Sequence, residues 1–475
     1  MSKDNVTQVS IESECNITNK KDHDSANINH ENCSYCNKPF IEELWCKECD
    51  PRCNHDIDTF IKDTIYDTRK NYDKDDARFL EWVQFDRFED IRRIGVGGFA
   101  QVYSATWIDG QAEYYKLDFG SWKKSNPKPI EVALKRLNNS QNMSADYLSE
   151  LKAHWNLNKS YTNSLKFYGM TKDPETKEFM MIIEFAKIGN LRCFLSSNFK
   201  NILWKDKINY LHGLSQDLKY LHKLGYFHKD FHSGNILLNY ENNENTSYIS
   251  DFGLSGPSNE QKSDNKICGV LPYIAPEVLN GEPYILSSDI YSFGVIMTEL
   301  SSGKPPFHNR QHNTGLSLAI CNGLRPEFGK GTPEIYKKLA YRCMNAIFNQ
   351  RPTAEELYDI LNFWWHSSDI NSFRYTEYQK KEVFGYKGKE IKVIFDEADK
   401  EIPNILISYE KNPDAIYTSR IFTFNNLPKP VNSSIITSYI NDEENNIDFQ
   451  DSQLIDLEIS NSLNLNDDNK DNAEN

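Results

Sequence analysis

The sequence predicts an α+β chain in two lobes, and three observations carry that prediction. Apolar patterning is continuous from residue 85 to 366. Within that stretch strand-like pieces come first and long helical patterns follow. Strands segregated from helices along a chain fold as an α+β arrangement. Hydrophobic residues make up 39% of the 475, with 26 Tyr and 26 Phe, enough for a sizeable core.

Taken in order, residues 1–30 are polar without periodicity and read as disordered, and residues 31–56 are cysteine-rich. Residues 57–84 alternate charges with scattered apolar positions and read as a helical connector. The stretch 85–366 opens with strands at FEDIRRIG, QVYSATW and VALKRL. A helical segment, DYLSELKAHW, follows, and then strands at SLKFYGM and FMMIIEF. In DKINYLHGLSQDLKYLHKLG, Leu211, Leu214, Leu218 and Leu221 recur at spacings of three and four, an amphipathic helix ended by Gly225. SSDIYSFGVIMTELSSG opens with serines suited to an N-cap and closes on Gly303. Residues 367–475 read as irregular to disordered, tyrosines and lysines mixing without pattern before an acidic end. No internal repeat is visible.

Charge and cysteine usage exclude several classes. The net charge is −15, and from Pro430 onward eleven Asp or Glu face one Lys, a balance of −10. Such a chain offers no basic face for nucleic acid, and its acidic end is suited to a solvated segment. The densest apolar run, FMMII at 179–183, falls far short of the ~18 residues of a membrane helix. The start, MSKDNVTQVSIESEC, lacks an apolar leader, so a cytoplasmic, possibly nuclear, location with reduced thiols is expected. Within NCSYCNKPFIEELWCKECDPRC, Cys33 and Cys36 form one CxxC turn and Cys46 and Cys49 another. Two such knuckles suit a tetrahedral Zn²⁺ site, whose metal would be the main stabiliser of so short a module.

Four stretches could carry chemistry. GVGGF, with Gly95, Gly97 and Gly98, sits between two strands and suits either a hairpin turn or a backbone cradle for phosphate. Lys135 in VALKRL is either the exposed residue of a half-buried strand or the partner of Glu150. The latter shares a helical face with Tyr147, Leu151 and His154, where a carboxylate needs a cation. HKDFHSGNILL, residues 228–238, crowds polar groups against an apolar strand. It reads as a packed polar turn or as a site built on Asp230 and Asn235. Asp251 in YISDFG ends a strand just before a glycine. An Asp and an Asn able to share a divalent ion, with another Asp free to take a proton, suit Mg²⁺-dependent phosphoryl transfer.

In this order the motifs resemble the eukaryotic protein kinase family: a glycine loop, VALK, a helix Glu, HxDxxxxN, DFG, APE at 275–277, SSDIYSFG and a late Arg351. The resemblance covers about 60% of the chain, roughly residues 88–365. LPYIAPE, SSDIYSFGVIMTEL and NQRPT look most like the tyrosine-kinase-like group of serine/threonine kinases. It implies a two-lobed protein kinase fold, a β-rich N-lobe over a helical C-lobe, preceded by the zinc-knuckle module. It also implies transfer of the γ-phosphate of Mg-ATP to serine or threonine hydroxyls of protein substrates in signal transduction. Ile94, Gly95, Val96, Gly97, Gly98, Val102 and Ala133 would line the nucleotide site, and Lys135 would hold phosphates while paired with Glu150. Glu184, Phe185 and Ala186 would form the adenine hinge after Ile183. Asn235 and Asp251 would ligate Mg²⁺, and Asp230 would take the hydroxyl proton. Asp289 would brace the catalytic loop, and Glu277 would pair with Arg351.

The sequence departs from the family at four points. Ala100 replaces the third glycine, and Lys229 stands where Arg is usual, which implies weaker dependence on phosphorylation of a loop holding Ser255, Ser258 and Ser263. His232 and Val270 replace a Lys and a Thr that meet at the γ-phosphate. A histidine still donates a hydrogen bond, whereas valine does not. Losing a charged donor there costs on the order of 10²-fold in rate. The alternative is a catalytically weak pseudokinase serving as a scaffold.

Overall fold

The computed structural model describes residues 55–70, 79–96, 100–111, 114–116, 122–124, 128–141, 144–160, 164–241, 244–253, 255–257, 267–383, 385–424 and 426–444. Both CxxC turns, Gly97 and Gly98 lie outside the described residues.

The first lobe is built on a six-stranded sheet. Its strands are β1 (Glu81–Trp82), β2 (Phe88–Val96), β3 (Ala100–Trp107), β4 (Ile130–Leu137), β5 (Phe167–Lys172) and β6 (Phe179–Glu184), ordered β1-β5-β6-β4-β3-β2. Neighbours run antiparallel except β1, which lies parallel to β5. That edge depends on Gly169. At φ 157° it faces Glu81, and a Cβ there would sit 1.9 Å from the Glu81 carbonyl oxygen. Alternate residues of β4 enter separate apolar clusters. Val132 and Leu134 pack with Trp107 and Ile182, while Ala133 and Leu137 pack with Leu151 and Trp155 of helix α2 (Ala145–Ser160). A strand covered on both faces has no solvent side, which decides where Lys135 goes.

The expected connector over 57–84 is corrected. Helix α1 (His55–Lys70) buries Ile57, Phe60, Ile61 and Ile65 in the cluster that holds Leu151 and Phe167, and residues 81–82 extend the sheet. The segment is a wall of the lobe rather than a spacer, because its scattered apolar residues fall on one helical face.

The second lobe is helical: α3 (Leu191–Asn198), α4 (Trp204–Lys223), α5 (Leu286–Ser302), α6 (Glu334–Cys343) and α7 (Ala354–Ser368). Leu211, Leu214, Leu218 and Leu221 of α4 are fully buried. The chain leaves α4 through Gly225, whose φ of 78° reverses it. The serines expected to cap α5 lie inside its first turn. The cap position is Ile285, whose N–H donates to Ser288 Oγ at 3.2 Å, and Gly303 ends the helix at φ 70°. A hairpin of β7 (Ile236–Glu241) and β8 (Glu244–Ile249) lies between the catalytic-loop and DFG stretches, and a short strand, β9 (Ile267–Gly269), follows.

The reading of 367–475 as irregular is corrected through residue 444. Helix α8 (Gly388–Asp399) sends Ile391, Phe395 and Ala398 into the main core, where Phe395 stacks on Trp204 at 5.8 Å. Burying such a side chain stabilises by about 1.5–3 kcal/mol. The chain then returns to the front of the lobe, forms β10 (Arg420–Phe422) antiparallel to β9, and ends in α9 (Ser434–Glu444) beside α6, where Tyr439 donates to Glu334 at 2.7 Å. The tail is anchored because Tyr378, Ile391, Phe395, Ile402 and Ile405 fill core positions, a pattern too sparse to register as periodicity.

Candidate active site

Lys135 lies on β4 between Val102 and Met181 of the neighbouring strands and is 5% exposed. It projects to the α2 side. There its Nζ pairs with Glu150 Oε1 and donates to Asp251 Oδ1 at 2.8 Å. The exposed-lysine alternative therefore falls. Burial alone would pull the ammonium down, but Asp251 and Glu150 hold it well above its usual range. Burial pushes Asp251 up, yet Lys135 outweighs it and brings the carboxyl down to about 2. Asp251 adopts φ 67°, a left-handed conformation costing about 1–3 kcal/mol for a non-glycine residue and characteristic of functional sites. Beside it Phe252 is buried edge-on against His154 of α2, ring centroids 4.4 Å apart.

Residues 228–238 hang from a fully buried Asp289 on α5. Its carboxylate accepts from His228 N–H at 2.9 Å, Lys229 N–H at 3.2 Å and the Tyr284 hydroxyl at 2.6 Å. These bonds hold Lys229 at φ 68°, and its ammonium lies 4.8 Å over the Phe227 ring. The loop thereby presents Asp230, with Asn235 Nδ2 donating to the Asp230 carbonyl at 3.0 Å. Ser250 N–H donates to Asn235 O at 2.9 Å and His228 Nε2 meets Ser250 O at 3.0 Å, tying this loop to the segment that carries Asp251. Glu277 and Arg351, far down the lobe, form a buried two-pronged ion pair at 2.7 and 2.8 Å.

Asp230 is buried, and among the described residues no ammonium pairs with it. Burial would raise its carboxyl, but His232, Ser419 and His228 together hold it below the usual range. Its Oδ2 accepts from the Ser419 hydroxyl and, at 3.4 Å, from Asn235 Nδ2, while Oδ1 has no hydrogen-bond partner among the described residues and faces His232 Nε2 at 3.6 Å. His232 Nδ1 accepts from Gly234 N–H at 3.0 Å, which assigns the ring proton to Nε2 on the side of Asp230. Arg192 of α3 reinforces this, reaching His232 Nδ1 at 3.3 Å, Ser233 Oγ at 3.1 Å and the Tyr417 carbonyl at 2.8 Å. Val270 is buried among apolar residues. Just before it Gly269, at φ 139°, lets β9 pass the loop; a Cβ there would lie 3.4 Å from Asp230 Oδ1.

The remaining expected residues lie on β2, β3, β4, β6 and the turn that follows β6. Ile94 and Val96 are exposed at the end of β2, Gly95 pairs with Val102, and Ala133 is buried opposite Ile183. Glu184 directs its carboxylate away from an adenine contact, accepting from Asn239 Nδ2 at 3.0 Å and Lys166 N–H at 3.3 Å; a hinge here would use backbone. The Ala186 carbonyl accepts from Gly189 N–H at 3.1 Å.

A family model described as protein tyrosine and serine/threonine kinase matches residues 88–361. The chain belongs to this kinase family. The chain is 28% identical over 322 residues to an Acanthamoeba polyphaga mimivirus protein named as a serine/threonine-protein kinase/receptor, covering 64% of this chain and 18% of that one. It is 28% identical over 274 residues to a probable serine/threonine-protein kinase of Dictyostelium discoideum, covering 54% and 16%. It is 31% identical over 229 residues to a G-type lectin S-receptor-like serine/threonine-protein kinase of Arabidopsis thaliana, covering 46% and 24%. The chain thus spans less than a quarter of the length of these relatives.

The donor set fits a nucleoside triphosphate with a divalent cation. The Asp251 side chain is 41% exposed to the cleft, Asn235 uses its amide N–H toward Asp230, and Asp230 Oδ1 is buried without a partner. Among the described residues no cluster of His, Cys, Asp and Glu forms a separate metal site, and no helix is long and apolar enough to cross a membrane. Arg192, Tyr417 and Ser419 escaped the sequence reading. Arg192 looks like any surface charge of a short amphipathic helix, and the other two lie in a tail without pattern.

Proposed function

We propose that this chain is an ATP-dependent protein kinase that phosphorylates serine and threonine hydroxyls of proteins in signal transduction, of the tyrosine-kinase-like group. One observation carries the reading: Lys135 is bound at once to Glu150 and Asp251, the assembled state that kinase catalysis needs, opposite an ionised Asp230. Lys135 would hold the α and β phosphates, with Ile94, Gly95, Val96, Val102 and Ala133 over the nucleotide and the backbone of Glu184 and Ala186 at adenine. Mg²⁺, held by Asp251 and Asn235, would neutralise phosphate charge during transfer. Asp230 would orient the acceptor hydroxyl and take its proton.

The test is phosphate transfer from Mg-ATP to a library of serine- and threonine-containing peptides, with the Asp230→Asn chain alongside. Transfer by the parent and none by the variant is expected. Equal silence of both, with nucleotide still bound, would favour the scaffold reading. That second reading draws on His232 and Val270, which leave Asp230 without an ammonium neighbour.

We further propose that Cys33, Cys36, Cys46 and Cys49 bind one structural Zn²⁺ in a module that docks protein rather than nucleic acid, since residues 33–56 carry three basic against five acidic side chains. Metal analysis of the purified chain and of Cys46→Ser checks this. A cytoplasmic or nuclear location accords with thiolate ligands.

A further inference from the structure

The tail passes directly over Asp230, and we propose that Ser419 is an intramolecular phosphate acceptor, docked in the groove that receives protein substrate. The proposal rests on the kinase reading above.

The segment is held on both sides of Ser419. Before it, Asn412 N–H donates to His308 O at 2.8 Å, and His312 N–H to Asp414 O at 3.1 Å. His312 Nδ1 meets Ile416 O at 2.9 Å, Arg192 donates to Tyr417 O at 2.8 Å, and the Tyr417 hydroxyl donates to Pro306 O at 2.9 Å. The Tyr417 ring lies 5.0 Å beneath the Arg192 guanidinium and edge-on to His312 at 4.8 Å. After it, Arg420, Ile421 and Phe422 pair antiparallel with Gly269, Cys268 and Ile267, adding a strand to the segment between DFG and APE. Strand addition is a general mode of peptide capture: backbone bonds give affinity, and the register fixes which side chain meets the site. Here the register delivers a hydroxyl to Asp230 Oδ2, while neighbouring Thr418 faces solvent.

A blocking segment needs no nucleophile at this place, and alanine would serve as well. A serine hydroxyl donating to the carboxylate suited to take its proton is instead arranged to react. In the step, Ser419 Oγ forms a bond to the γ-phosphorus of ATP, and the bond from that phosphorus to the β–γ bridging oxygen breaks. ADP leaves with the electron pair, and the hydroxyl proton passes to Asp230 and then to solvent. The product places about two negative charges beside the Asp230 carboxylate, so repulsion expels the segment and opens the groove.

The test uses the full chain. Incubation with Mg-ATP at protein concentrations spanning a hundredfold, followed by fragment mass spectrometry, should find phosphate on Ser419 with a concentration-independent rate. It should find none in Ser419→Ala or Asp230→Asn. Amide hydrogen exchange over 416–422 supplies a readout independent of transfer. It should be slow in the unmodified chain and roughly tenfold faster after phosphorylation, as expected when charge-assisted bonds are lost. Phosphate on added serine peptides but not on Ser419 would overturn the inference and leave the kinase reading standing. Phosphate on neither would overturn both. A rate rising in proportion to protein concentration would make the acceptor another copy's tail and refute the intramolecular assignment. Fast exchange in the unmodified chain would refute the docking.

Discussion

The two carboxylates of the site, Asp251 and Asp230, are held by different means. Asp251 is bound to a buried ammonium at 2.8 Å and sits near a pKa of about 2. Asp230 has a histidine at 3.6 Å, a long bond from Asn235 Nδ2 at 3.4 Å and a serine hydroxyl from 189 residues further along the chain. The Asp251 end is completed inside the kinase domain by charges that burial forces together, because an unpaired buried charge is far more costly than a paired one. The Asp230 end is completed by a segment that the inference above has leave on phosphorylation. A strong, buried, local set of partners makes one half-site, and a docked distant segment makes the other.

The sharpest way to break this contrast is to remove Lys135. Lys135→Met should leave Asp251 and Glu150 as neighbouring unpaired carboxylates and lower transfer by about 10³-fold, the upper end of what one preorganised electrostatic group is worth. Asp230→Asn should lower the transfer rate by about 10²–10⁴-fold, the usual worth of a positioned base, with nucleotide affinity almost unchanged in a fluorescence titration. If both variants lose nucleotide binding equally, the two ends are not distinct.

Restoring an ammonium to the weaker end sharpens the comparison. His232→Lys should raise transfer to added peptide by up to about 10²-fold, measured as kcat. No gain would mean that Arg192, 3.3 Å from His232 Nδ1, already supplies the charge.

Acid sensitivity separates the ends in another way. Both carboxylates are held below their usual range, so each contributes stability that is lost only as pH falls below about 4, through its folded pKa. Burial, with Lys135 adding repulsion, pushes His154 down to about 3. Between the ordinary histidine pKa near 6.5 and that value, the unfolded chain binds one more proton than the folded chain. Stability therefore falls as pH drops from about 6.5 to 3, by about 1.4 kcal/mol per pH unit from this group. Denaturant melts of His154→Phe should show a shallower slope by that amount. The smallest effect is expected from Tyr417→Phe. It loses one hydrogen bond to Pro306, worth about 1 kcal/mol, and should speed phosphorylation of added peptide a few-fold at most.

Most of the kinase domain was legible in the sequence because each element there carries its own local signal. Four leucines at helical spacing bury one face of α4 whatever surrounds them, and Lys135 and Glu150 were bound to meet once both faces of β4 were covered. The tail shows the limit. Phe395, Tyr417 and Ser419 stand in a stretch without period, so their partners, Trp204, Pro306 and Asp230, are set by where the chain has been led rather than by neighbouring residues. Helix α1 falls between these cases: its helicity was readable, its burial was not.

The sequence by itself determined the order of the lobes and the family, since periodicity and motif spacing act over a few residues. Only the tertiary structure decided that the tail returns to Asp230. Strand addition and side-chain docking across nearly two hundred residues depend on complementary surfaces that exist only once the lobe has folded.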